Sequence, residues 1–128
     1  MSIDLSQFIS TFLEESYEGL EIMENGLLNL DSGDHETINT IFRAAHSIKG
    51  GAGTFGFDQV GEFTHNVETL LDHLRKERQL VTPAIINLLL ESVDAIRALL
   101  AATQNGPATD KDQINQLDLR LLQAINGE

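Results

Sequence analysis

Apolar residues recur at three- and four-residue intervals along almost the whole chain, and they never alternate with period two over a useful length. Such a pattern confines the chain to helices, each with one apolar stripe that another helix must cover. Leu5, Phe8, Phe12, Leu20, Met23, Leu27 and Leu30 form the first stripe. The stretch "LDSGDHE" breaks it: Gly33 can stop one helix and Asp34 can cap the next. Ile38, Ile41, Phe42, Ala45 and Ile48 form a second stripe, which weakens through Gly50, Gly51 and Gly53 and should end near Gly56. Val60, Phe63, Val67, Leu70, Leu71 and Leu74 make a third, closing on Arg75, Lys76 and Arg78, where cations suit a helix C-terminus. "VTPA" opens a fourth helix, with Thr82 as N-cap and Pro83 at its first position. A shorter fifth follows the turn-rich "TQNGPATD". The spacing predicts helices over roughly 3–30, 35–54, 58–78, 83–103 and 110–126. The expected fold is all-α: an antiparallel up-down four-helix bundle with an additional C-terminal fifth helix.

A chain of 128 residues fits one domain, spanning 1–128. Its 41% hydrophobic content suffices for a single core. There is no cysteine, which excludes disulfides and thiolate metal sites. The N-terminal stretch has no basic region and no long apolar run, so no signal peptide is expected, and a cytoplasmic location fits. "PAIINLLL" is too short to span a bilayer, so no membrane insertion is expected. The formal net charge is -12, and no Lys or Arg precedes Arg43. Nucleic acid and anionic membrane are therefore poor partners. The early carboxylates read as a solvated helix face, or as a surface for a basic partner.

The second helix carries an unusual run, "RAAHSIKGGAGTFGF". His46 lies about 100° from the centre of its stripe, at the boundary between core and solvent. Lys49 falls between that stripe and His46, so its stem can lie on apolar surface while the ammonium emerges beside the imidazole. Gly50 stands one turn after His46 and leaves the space above the ring open. A mid-helix glycine costs roughly 0.5–1 kcal/mol relative to alanine. Access to His46 is one offsetting gain; close helix packing is the other, above all for Gly51 and Gly53. Glu68 on the third helix is displaced from its stripe in the same sense as His46. In an antiparallel pair, equal senses place both side chains on one side. Measured from a turn near Gly56, the two differ by only ~3 Å along the axis. Glu68 can therefore reach His46, accept a hydrogen bond from Nδ1 and leave the Nε2 lone pair free as a nucleophile. His65, one turn earlier, points further out and can extend the polar cluster. An oriented neutral imidazole with a nearby cation and cleared space suits phosphoryl acceptance.

"RAAHSIKGGAGTFGF" resembles the phosphorylation motif of histidine phosphotransfer domains, and more narrowly that of the N-terminal phosphotransfer domain of CheA-type chemotaxis histidine kinases. "THNVETLLDHLR" resembles the family's second signature, in which a histidine and a glutamate face the phosphorylated histidine. The resemblance covers about the first hundred residues, and the fifth helix is compatible with it. It implies that His46 is phosphorylated, that Glu68 is its Nδ1 partner, and that Lys49 and His65 form the flanking polar network. It also implies phosphate taken from an ATP-binding CheA-type kinase domain and passed to an aspartate of CheY-like or CheB-like response regulators. No cofactor is then expected in this chain, with ATP and magnesium held by the separate kinase domain and by the regulator. "KGGAGTFG" puts its lysine before the glycines and follows no strand, so it is not a nucleotide cradle. The isolated chain is thus expected to be a phosphoacceptor and donor without kinase activity, and a monomer, its parent protein being a histidine protein kinase. A stand-alone phosphorelay protein is the alternative. Regulator docking is expected on the flank near Asn39, Arg43, Gly50 and Gly53.

Two other readings compete. Glu62-x-x-His65 has the spacing of di-iron helical bundles, but those need a second such pair, which this sequence lacks. A plain adaptor bundle with a structural histidine needs neither Lys49 nor Gly50 at their positions. His35 and His73 are expected on the surface.

Overall fold

A computed structural model describes residues 5–30 and 34–127. Five helices follow one another: α1 (Leu5–Leu28), α2 (His35–Phe55), α3 (Asp58–Arg75), α4 (Pro83–Ala102) and α5 (Lys111–Ile125). No strand occurs among the described residues. Each of the first four helices packs on the next, and α4 returns to α1, closing a four-helix bundle. The pairings run antiparallel. Phe12 of α1 meets Phe55 near the end of α2, whereas Gly26 lies against Ile41, closer to its start. The fifth helix lies outside this ring against α3 and α4. It runs parallel to α3, since Asn66 bonds Asp118 and Gln79, further on, bonds the carbonyls of Ala124 and Ile125.

The stripes read from the sequence meet in one core, where Leu20, Met23, Ile41, Ile48, Leu70 and Ile96 are all buried. Leu5 and Phe8 are the exceptions, at 61% and 56% exposed. Phe12 already packs on Phe55 and Phe57. The turns of α1 before it extend past the end of α2, so among the described residues their Leu5–Phe8 side is uncovered, although Ile9 still packs against the core.

The helix ends follow local chemistry. The Asp34 carboxylate accepts from the Thr37 N–H and hydroxyl, and Thr82 Oγ1 accepts from the Ile85 N–H ahead of Pro83. The expected stop at Gly33 and the expected start of α1 at residue 3 lie outside the described residues. α2 ends at Gly56, whose φ of 74° is the left-handed conformation that glycine adopts without a steric penalty. Only Gly56 and Phe57 separate α2 from α3. α3 stops at Arg75, three residues short of the expected 78. Glu77 takes the left-handed conformation there (φ 59°), and the Arg78 N–H closes back on the His73 carbonyl. With glutamate rather than glycine at that position, the sequence carries no stop signal. No described helix is long and apolar enough to cross a membrane.

Candidate functional site

The short α2–α3 turn sets the register that brings His46 and Glu68 together across the helix pair. His46 Nδ1 lies 2.8 Å from Glu68 Oε2. Lys49 Nζ donates to the other oxygen, Oε1, also at 2.8 Å. The side chains differ sharply in exposure: Glu68 is 13% exposed and His46 is 63% exposed. Burial alone would push the Glu68 carboxyl up. The hydrogen bonds from Lys49 and His46, with the charge of the Lys49 ammonium, outweigh it and hold the carboxyl below its ordinary value. Glu68 is therefore a carboxylate that only accepts, so His46 donates from Nδ1. In the neutral ring the lone pair then sits on Nε2, which has no hydrogen-bond partner among the described residues.

The surroundings of the ring sort the expected residues. A side chain at Gly50 would meet nothing within 4 Å, so the space beside His46 is open. A side chain at Gly51 would run into the Phe12 ring, which accounts for that glycine by close packing. For Gly53 close packing was one reading and the docking flank the other; a side chain there would meet nothing within 4 Å. His65 is exposed and lines a groove with Lys49, Gly53 and Asn66. Its ring makes no hydrogen bond or ion pair among the described residues, so the network at His46 ends at Lys49 and Glu68. Arg43 is exposed in the cleft between α1 and α2, and Asn39 is half-buried two turns before His46. His35 lies on the surface, paired with Glu77 at 2.8 Å. His73 is half-buried instead of fully outward. Glu62 and His65 gather no third metal-binding side chain among the described residues.

Sequence reasoning placed Phe42 in the apolar stripe, and it does pack against the core, but its ring also borders the site. Its ring lies beside the His46 ring, centroids 6.1 Å apart and planes 15° from parallel. The Arg75 guanidinium sits over the same ring, 4.0 Å from its centroid. An aromatic residue one turn before the histidine was the available signal.

A family model described as "Hpt domain" matches residues 7–106. The chemotaxis protein CheA of Salmonella typhimurium is 49% identical over 112 residues, covering 86% of this chain and 17% of that protein. The chain thus spans about a sixth of the length of that relative. Among solved structures, the CheA phosphotransferase domain from Thermotoga maritima aligns with a TM-score of 0.73 and 30% identity, covering 79% of this chain and 98% of that one. The phosphorylated P1 domain of CheA3, in complex with CheY6 from R. sphaeroides, aligns with a TM-score of 0.76. It covers 92% of this chain and 98% of that one, and its 22% identity speaks to the fold. With the bundle, the carboxylate-bound histidine and these matches in agreement, the chain belongs to the Hpt domain family, in its CheA-type form.

Proposed function

We propose that His46 is the covalent carrier of a phosphoryl group, taken from ATP on a CheA-type kinase domain and delivered to an aspartate of a CheY-like or CheB-like response regulator. The single observation that carries this reading is an exposed imidazole tied at Nδ1 to a carboxylate, with Nε2 unpartnered among the described residues. In the uptake step Nε2 attacks the terminal phosphorus of ATP. An N–P bond forms, the P–O bond to ADP breaks, and ADP leaves with the electron pair. The proton on Nδ1 stays, so the ring gains positive charge, and Glu68 already faces it. Lys49, on the second oxygen of Glu68, supplies the cation that offsets charge on the incoming group. Delivery reverses the sequence: the aspartate oxygen attacks phosphorus and the N–P pair returns to Nε2.

In this reading the chain has no kinase activity alone, ATP and magnesium sit on the kinase domain and the regulator, and the domain works as a cytoplasmic monomer. A regulator approaches over Gly50 and Gly53, with Arg43 and Asn39 on the same flank and His65 beside the groove. The solved complex of the phosphorylated P1 domain of CheA3 with CheY6 supports a regulator as recipient. Incubation with labelled ATP and a CheA kinase fragment tests the assignment. Wild type should take up acid-labile, base-stable label, and His46→Gln should take up none while its helical circular dichroism is unchanged. Robust labelling of His46→Gln overturns it.

A further inference from the structure

A hydrogen bond at Nδ1 restrains an imidazole but still tolerates libration of the ring about its Cβ–Cγ bond. The in-plane direction of the Nε2 lone pair depends on that plane. At His46 a second restraint is present. Phe42, one helical turn earlier, lies within 15° of parallel to the imidazole at a centroid separation of 6.1 Å, inside the range of offset aromatic pairs. Phe42 is half-buried and packed against the core, so its own ring has limited freedom. It is held a second time by Arg75, whose guanidinium carbon is 4.0 Å from the ring centroid. Arg75 in turn is pinned by Asp72, which accepts from both Nε at 3.2 Å and an Nη at 2.6 Å. Lys76 closes on the other oxygen of Asp72 at 3.0 Å.

We propose that Phe42 is a positioning residue for His46: with Arg75 over its ring, it sets the plane of the imidazole so that Nε2 points at the incoming phosphorus. The proposal rests on the transfer reading above and adds a restraint independent of Glu68. The chain of contacts runs from Asp72 through Arg75 and Phe42 to His46, along the same α2–α3 seam that carries Glu68. It has a chemical side as well. When the ring gains positive charge on phosphorylation, the face of Phe42 is a favourable neighbour for it.

The test compares Phe42→Leu, Phe42→Tyr and Arg75→Gln with wild type in two measurements: labelling rate with the CheA kinase fragment, and NMR relaxation of the His46 ring carbons. Phe42→Leu keeps an apolar side chain and loses the stack, and should slow uptake about tenfold. Phe42→Tyr should stay within twofold of wild type, a rescue that bulk alone does not explain. Arg75→Gln leaves the core untouched and should slow uptake about two- to fivefold. The ring carbons should relax as a more mobile ring in Phe42→Leu and as in wild type in Phe42→Tyr, while Glu68 keeps the proton on Nδ1 throughout. Unchanged uptake in Phe42→Leu overturns the proposal, and so does slowed uptake with unchanged ring relaxation. Should Phe42→Leu fail to fold, Arg75→Gln with wild-type uptake overturns it. If wild type takes no label, the transfer reading falls, and ring relaxation alone decides whether Phe42 restrains the ring.

Discussion

Glu68 uses its two oxygens for two partners, and replacing one of them separates orientation from stability. Glutamine keeps one acceptor but turns a donor toward either His46 or the Lys49 ammonium. Glu68→Gln should therefore slow phosphoryl uptake about tenfold or more. Its stability cost should be only about 1 kcal/mol, because the partners remain partly solvated. Labelling kinetics beside urea unfolding check this, and wild-type uptake would show that Glu68 does not orient the ring. The acid limb carries a further expectation. The folded-state carboxyl is held below its ordinary value, first against burial and then by Lys49 and His46. A depressed carboxyl contributes stability above its unfolded value and loses it as pH falls through the lowered folded value. Melting temperatures from neutral pH downward should thus show the gap between wild type and Glu68→Gln closing in that acid window. A gap that stays constant across it would mean that the carboxylate pair contributes nothing to folding.

Within α2 the glycines play unlike parts, and alanine substitution separates them. Gly51 meets the Phe12 ring, so Gly51→Ala forces that ring to move and should cost about 1–3 kcal/mol. Gly50 and Gly53 face open space, so alanine there should stabilise the helix by about 0.5–1 kcal/mol. Denaturant midpoints for the three variants check the signs; a destabilised Gly53→Ala would mean that its helix face is not open. Much of this element was legible beforehand because its causes are local. Asp34, Thr82 and Gly56 announce helix ends through their own side chains or lack of one. The His46–Glu68 pairing was legible because an antiparallel register fixes which residues face each other. Features that depend on where a neighbour stops were not: periodicity puts Leu5 and Phe8 in a stripe but does not say that α2 ends before covering them. The end of α3 was hidden because Glu77 takes a glycine-like conformation. The Phe42–Arg75 contact was hidden because it hangs on a rotamer held by Asp72.

Over the whole molecule, chemistry and support are carried by different parts. The family match ends at residue 106, before α5 begins at Lys111. That helix is fastened to the bundle by buried Leu117 and Leu121, by Asn66–Asp118 and by the Arg120–Glu91 pair. It touches α3 and α4 but not the helix carrying His46. Leu121→Ala should cost about 2–5 kcal/mol while leaving the labelling rate of the folded protein near wild type. A labelling defect well below the melting temperature would tie α5 to the chemistry. The two-residue connection after α2 has a consequence for anyone moving this chemistry elsewhere. His46 and Glu68 are 22 positions apart, and that separation is set by one tight bend with no slack to absorb an insertion. Adding a single residue ahead of Glu68 in α3 would swing it about 100° around the axis, away from the imidazole. The portable unit is thus the whole hairpin at its native length; the residues grafted alone onto a longer-looped host would be mute.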